Sequence, residues 1–407
     1  MPDVSVLEVR LGEIRVGTLT LAPGDQSLFA FDQAYLDNPD RPTLSLSFKD
    51  SFGQLITEIR PVHQVVPTFF SNLLPEGPLR RYLAERAGVK ETREFYLLWI
   101  LGRDLPGAVT VHPAEGQSLP RKIEDALNGE QRDKLLRFSL SGVQLKFSAL
   151  KNQDRKGGLT IPAEGVGGSW IVKLPSQQFR GVPENEFAMM TLASRLGMEV
   201  PEIQLQPLEA IAGLPQGIGE LTGQALIVRR FDRAPDHKVH IEDFAQIFSV
   251  FPADKYKGGN YRRIAEVIGL EAGEAGIAEF IRRLVFSTLI GNGDMHLKNW
   301  SLIYPDGRSP ALSPLYDMLS TLPYIRDETM ALNYSRTKKM TSFNKDELLY
   351  LAAKARLPQK LVLDTAEETV VRFRELWSKE RTHLPLSNDV IGAVETLLPQ
   401  IPIYSQF

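Results

Sequence analysis

The chain has 407 residues, enough for two or three domains with interiors of their own. Its 43% hydrophobic and 24% charged residues are those of ordinary folded domains and argue against disordered, collagen-like and membrane classes. A net charge of −3 gives no overall attraction to nucleic acid, and the lack of cysteine removes disulfides, thiolate metal sites and cysteine nucleophiles.

The chain opens with Asp3 and no apolar run after a basic start, so its first residues do not read as a secretory signal. No stretch nears the roughly 18 apolar residues of a membrane span, which predicts a cytoplasmic protein with no membrane partner. Short strands are predicted at Val4 to Val9, Ile14 to Leu21 and Leu44 to Phe48, with turn residues between them. From Thr68 the spacing of Phe70, Leu73, Leu74, Leu79, Tyr82 and Leu83 turns helical up to Gly88. These elements define a β-rich module over 1–115. The polar, mixed-charge stretch Glu115 to Arg137 predicts a connecting helix or linker. Strands follow at Val143 to Leu150, Trp170 to Leu174 and Ala225 to Val228, with a helix at Glu186 to Leu196 before the third, giving a unit over 116–230. After Phe231 the signals are almost wholly helical over 231–407, including Glu279 to Ile290, Asp346 to Ala355 and Leu361 to Trp377, with Asn344 and Glu347 as a capping box.

The strongest chemical signal is the loop from Ile290 to Asn299, between a helix and the apolar strand Trp300 to Ile303. Helix, polar loop and strand form the setting of a kinase catalytic loop. Asp294 there can accept or orient the proton of an attacking hydroxyl, and Asn299, five residues on, can bind Mg2+. A second apolar strand, Leu312 to Tyr316, returns the carboxylate of Asp317 to the same place as a further metal ligand. The bland reading makes Asp294 and Asn299 turn residues, and it weakens because the upstream half supplies the rest of an ATP site. His296 lacks a second ligand at zinc-like spacing and is read as structural or supporting. His237 and His240 are read as loop surface.

In the strand Trp170 to Leu174, Lys173 is one cation in an apolar run and demands a phosphate or carboxylate partner. Glu186, at the start of the following helix, can orient it as in a kinase lysine–glutamate pair. The alternative is a snorkelling Lys173 beside a Glu186 that only complements the helix N-terminus. Ser139 to Gln144, including Ser141, Gly142 and Val143, can fold over phosphates through backbone N–H groups, although with one glycine the motif is weak by itself. Leu226 to Phe231 joins strand to helical region where a kinase hinge meets adenine, placing Arg229 and Phe231 at the nucleotide. The fold class predicted is α+β: a small β-rich N-terminal module followed by a two-lobed protein-kinase-like domain with an all-helical C-terminal lobe.

With these residues in place the chain resembles the HipA family, the kinase toxins of bacterial toxin–antitoxin pairs. Phe70 to Gly77 and Leu101 to Val109 resemble its N-terminal signatures. Ser139 to Lys146, Ile171 to Pro175, Arg230 to Arg233, Asp294 to Asn299 and Tyr316-Asp317 resemble its kinase signatures. The resemblance implies ATP and Mg2+ as cofactors and autophosphorylation at Ser139 or Ser141. It also implies a serine/threonine kinase acting on translation enzymes such as aminoacyl-tRNA synthetases. Arg229 stands where a hinge glutamate is expected. A small helix-turn-helix antitoxin is the implied partner, and with −3 overall the chain needs it to reach operator DNA. The N-terminal module is the docking candidate and is expected to supply no catalytic group. Two other readings compete: a small-molecule phosphotransferase, from the likeness of Gly293 to Asn299 to antibiotic and choline kinases, and a pseudokinase scaffold for a DNA-binding partner.

Overall fold

In a computed structural model the described residues are 5–86, 88–117, 146–151, 159–160, 168–176, 178–214 and 221–407. Strands β1 (Ser5–Leu11), β2 (Ile14–Ala22) and β3 (Gln26–Phe31) form a meander, and β4 (Val62–His63) and β5 (Val109–Pro113) complete an antiparallel sheet in the order β4-β3-β2-β1-β5. Alternation drives it: Leu7, Val9 and Leu11 point inward from β1 while the residues between them are half-exposed. The expected strand at Leu44 to Phe48 is not one. Leu46–Phe48 is a single 3-10 turn, because the Ser45 hydroxyl accepts from the Ser47 N–H and offers the backbone a local alternative to a ladder. The third strand is instead Gln26–Phe31. Helices α1 (Gln33–Asp37), α2 (Thr68–Ser71), α3 (Gly77–Arg86) and α4 (Glu94–Leu101) surround this sheet.

The second sheet runs β10-β7-β6-β8-β11-β9, built from β6 (Lys146–Lys151), β7 (Leu159–Thr160), β8 (Trp170–Lys173), β9 (Ile203–Pro207), β10 (Ile211–Ala212) and β11 (Gln224–Arg229). β6 and β11 flank β8 antiparallel, in a register that sets Lys146 and Leu226 opposite Lys173. Helix α5 (Val182–Arg195) lies between β8 and β9 in sequence. Phe147, Val172 and Ile227 of this sheet share one apolar core with the N-terminal module, whereas Met189, Met190 and Leu192 of α5 join the core of the C-terminal half.

That half contains α6 (Phe244–Ile247), α7 (Tyr261–Glu271), α8 (Gly273–Leu289), α9 (Lys345–Lys354), α10 (Gln359–Glu380), α11 (Asn388–Leu397) and α12 (Pro402–Gln406). It is not helical throughout: β12 (His240–Asp243), β13 (Ser301–Tyr304) and β14 (Ala311–Leu312) form a three-stranded sheet. His240 is therefore not loop surface. It is buried, and its Nε2 lies 2.8 Å from the carbonyl of Leu44 in the N-terminal module. The capping box is half present. Asn344 accepts from the Glu347 N–H at 2.8 Å, but the Glu347 carboxylate turns to Arg336 and to the N–H groups of Ser335 and Arg336.

Candidate functional site

A cavity of about 800 Å³, within the range of nucleotide-sized ligand pockets, lies between the second sheet and the C-terminal half. Ile171, Met190, Leu221, Val228 and Phe231 give it an apolar wall, and Lys146 and Lys173 stand side by side at one end.

Lys173 is 5% exposed and Glu186 only 1%, so the snorkelling alternative fails. Nζ of Lys173 donates to Oε1 of Glu186 at 2.5 Å and also contacts the Asp317 carboxylate. Burial works against the Lys173 charge, but Asp317 and Glu186 outweigh it and hold its pKa above the ordinary lysine value. Burial likewise opposes ionisation of Asp317, and Lys173 overrides it to hold that carboxyl well below the usual range. The expected strand Leu312 to Tyr316 is strand only at its first residue, since β14 ends at Leu312; Asp317 follows an irregular stretch with φ 53, a left-handed conformation that Asp tolerates better than most residues. Lys146 is pushed down by burial, which Asp317 opposes and the neighbouring charge of Lys173 reinforces. Its signal was the one that exposed Lys173, a lone cation beside strand residues, yet the sequence reading gave it no role.

The loop after α8 begins at Gly291, where φ is +67 and an added Cβ would lie 2.3 Å from the Leu322 side chain. The Asn292 side chain then accepts from the Asp294 N–H at 3.1 Å, and Thr321 Oγ1 accepts from the Gly293 N–H at 2.8 Å. A 3-10 turn at Leu297–Asn299 brings Asn299 Nδ2 back to the Asp294 carbonyl at 2.9 Å. Burial raises the Asp294 carboxyl. Tyr256 donates its hydroxyl to Asp294 Oδ1 at 2.6 Å and meets the His296 ring edge-on at 4.9 Å. His296 is buried, and that burial pushes its imidazole down to about 3, so it is neutral. Its contact is with Tyr256, which the sequence reading missed.

Asp294, Asn299, Lys173, Glu186, Asp317, His296, Arg229 and Phe231 all line this one cavity. Phe231 sits by Tyr316 with ring centroids 5.8 Å apart. The Arg229 guanidinium is solvent-exposed and lies 3.9 Å from the Glu202 carboxylate, and the Arg229 backbone N–H donates to the Glu202 carbonyl at 2.8 Å. Ser139, Ser141, Gly142 and Val143 lie outside the described residues. The set fits a magnesium nucleotide: an apolar slot, two lysines for phosphates, and one carboxylate with one carboxamide. Mg2+ takes few protein ligands and completes its shell with phosphate and water. The described residues contain no cluster of three or more His, Cys, Asp or Glu able to hold a metal alone.

The N-terminal module, expected to stay clear of the chemistry, reaches this cavity through both of its signatures. Asn72 and Glu76 line it. Nζ of Lys255 lies 2.7 Å from Glu76 Oε2, and Nζ of Lys298 lies 3.3 Å from Glu76 Oε1 and 2.7 Å from the Asn72 carbonyl. From the other signature, Asp104 pairs with Arg233 at 2.8 Å and Arg230 at 3.5 Å, and Arg230 grips Asp232 with two bonds of 2.8 and 2.9 Å. Gly107 donates its N–H to Asp232 at 2.8 Å with φ +75, and a Cβ there would stand 2.9 Å from the Ile241 backbone. Only glycine permits that approach.

Residues 7–112 match the family model described as HipA N-terminal domain, and residues 138–377 match the HipA-like C-terminal domain. The chain belongs to the HipA family. It is 65% identical to the protein named "Putative kinase Y4dM" from Sinorhizobium fredii, over 100% of both chains. It is 27% identical over 358 residues to "Serine/threonine-protein kinase toxin HipA" of Shewanella oneidensis, covering 78% of this chain and 76% of that one. Among solved structures, the Shewanella oneidensis complex of HipA, HipB and operator DNA aligns with a TM-score of 0.72 at 23% identity, over 98% of this chain and 96% of that one. That likeness shows a shared HipA kinase fold. No helix among the described residues is long and apolar enough to cross a membrane.

Proposed function

We propose that this HipA-family chain is an ATP-dependent serine/threonine protein kinase and the toxin of a toxin–antitoxin pair. The observation that carries the reading is the cavity that gathers Lys173, Glu186 and Asp317 with Asp294 and Asn299. Mg-ATP would supply the transferable γ-phosphoryl group, its charge neutralised by the metal. Lys146 and Lys173 would hold its phosphates, Glu186 would fix Lys173, and Asp317 with Asn299 would hold the metal. Asp294 would orient the acceptor hydroxyl and take its proton, and burial, which raises its carboxyl, suits that task. The acceptors in this reading are a protein of the translation machinery, such as an aminoacyl-tRNA synthetase, and the chain's own Ser139 or Ser141. Modification there adds roughly −1.5 to −2 charges beside the ATP phosphates and would shut the enzyme off.

The chain's relationship to a HipA named as a toxin, and its fold likeness to one solved with HipB and operator DNA, support a helix-turn-helix antitoxin as partner. Operator DNA would be reached only through it. In this organisation 1–115 is the docking module, and 116–230 and 231–407 are the kinase lobes, in the cytoplasm.

Incubation with labelled ATP and a bacterial lysate tests the reaction. A labelled protein band that Asp294→Asn abolishes is expected. A labelled small molecule would instead favour a phosphotransferase, and no transfer at all would overturn the kinase. Expression alone tests the toxin role: wild type should arrest growth and Asp294→Asn should not.

A further inference from the structure

We infer that the Asn72–Glu76 turn of the N-terminal module is a positioning element of the active site, with Glu76 setting the two lysines that flank Asp294. The inference rests on the kinase reading and deepens it. Both lysines are buried, at 6% and 8% exposure, so each needs a counter-charge nearby. Lys255 finds it in Glu76 at 2.7 Å. Lys298, one residue before Asn299, is held by Asn72 through its backbone carbonyl at 2.7 Å and its side-chain oxygen at 3.2 Å, with Glu76 and Asp243 at 3.3 and 3.4 Å.

Asn72 is itself fixed. Its Nδ2 donates to the carbonyl of Thr68, one turn back, and to that of Val250 in the C-terminal half, at 2.9 and 2.8 Å. Glu76 thus bridges the segment carrying Lys255 and Tyr256, whose hydroxyl bonds Asp294, to the turn carrying Lys298 and Asn299. A carboxylate from outside both kinase lobes ties the two sides of the catalytic loop together. This also gives a role to the signature Phe70 to Gly77, which the proposed chemistry leaves unused.

The test is Glu76→Gln in the full-length chain, assayed for phosphoryl transfer beside wild type, with thermal melting and nucleotide titration. A positioning role predicts a fall in kcat of about 10- to 100-fold, because small misplacements of reacting groups are that costly. KM for ATP should stay within about twofold, since Lys173, Glu186 and Asp317 keep all their mutual contacts and Lys298 keeps Asn72 and Asp243. Glu76→Asp, which keeps the charge, should recover part of the loss. Glu76→Gln/Lys255→Met should lose no more than the worse single variant, as residues in one network couple. Should Glu76→Gln fail to fold, the double variant, which removes the charge imbalance, carries the same measurement.

Ser45→Ala controls for docking alone, since Ser45 bonds Glu242 across the same domain contact away from the loop. The inference is overturned if Glu76→Gln turns over like wild type. It is equally overturned if its kcat, KM and melting temperature all shift as those of Ser45→Ala do, or if the two substitutions are additive. A wild type that transfers no phosphate would refute the kinase reading itself, a distinct result.

Discussion

The two ends of the cavity are built on different principles. At the end proposed for the nucleotide, Lys173, Glu186 and Asp317 form a compact triad from β8, α5 and the segment after β14, and each betrays itself locally: a cation in an apolar strand, an acid in the first turns of a helix, a carboxylate after an apolar run. At the end proposed for the acceptor, Asp294 and Asn299 sit in a recognisable loop, but the groups that hold that loop come from far away. Glu76 is 179 residues from Lys255, and Asn72 is 226 residues from Lys298. Local sequence shows which residues can do chemistry. It does not show which distant residues hold them in place.

If that contrast is right, substitutions at the two ends should separate binding from turnover. The largest effect is expected at the acceptor end. Asp294→Asn should reduce transfer by about 100- to 10,000-fold, the usual worth of a positioned proton acceptor, while ATP still binds. Asp317→Asn should abolish transfer comparably and also weaken magnesium-dependent nucleotide binding, which a titration with and without Mg2+ would reveal. A folded Asp317→Asn protein with near-normal transfer would remove Asp317 from the metal site.

Lys173→Met sharpens the same comparison through stability. It strands Glu186 in the interior without its cation, and breaking a buried pair costs about 3–5 kcal/mol. Denaturant unfolding should show that loss together with weaker ATP binding. Glu76→Gln also deprives two buried lysines of their counter-charge, but its functional loss should fall on turnover and not on ATP binding.

The sequence was legible where period and composition act locally. The meander β1–β2, helices α8, α9 and α10, and the strands carrying Lys173 and Arg229 fall where alternation and helical spacing put them. The reading failed where a segment's partner lies in another domain. Leu44 to Phe48 has strand-like composition, but Ser45 spends its hydroxyl on Glu242 and Leu46 its N–H on the same carboxylate, at 2.5 and 3.0 Å. His240 looked like surface because nothing nearby in sequence announces the Leu44 carbonyl that buries it. Asp104 and Gly107 stood in a signature without a role until Arg230, Asp232 and Arg233 were opposite them.

That domain contact carries a pH signature of its own. Glu242 is fully buried among Ser45, Leu46 and Tyr304, with Asp243 adjoining it and His240 stacked on Tyr304. Burial pushes its carboxyl up to about 7, and His240, pushed down to about 4, offers no compensating charge. The unfolded chain loses the Glu242 proton near 4.5 and the folded chain near 7. Between these values the unfolded state binds fewer protons, so stability is fully present below the lower value and falls as pH rises through the window. The loss is on the order of 3 kcal/mol. Glu242→Gln should flatten that part of the stability–pH curve. An unchanged slope would place the ionisation of Glu242 elsewhere.

The smallest expected effect, and the most direct probe of the acceptor end, is Tyr256→Phe. The Tyr256 hydroxyl occupies one oxygen of Asp294, leaving the other for an acceptor hydroxyl. A hydrogen bond to a charged group is worth about 1.5–3 kcal/mol when its loss leaves a buried group unpaired. Tyr256, however, is 46% exposed, so water can replace much of the bond. The ring contact with His296 survives the substitution, and the Glu76–Lys255 bridge is untouched. We therefore expect kcat to fall by only about 3- to 10-fold, with KM for ATP unchanged. The direction matters more than the size. A fall means the hydroxyl orients Asp294 for the incoming acceptor, as the bracing of this end from Glu76 onward implies. A rise would mean that Tyr256 stands in the acceptor's own place and must leave before a substrate can enter, and the acceptor end would then be a gate instead of a brace.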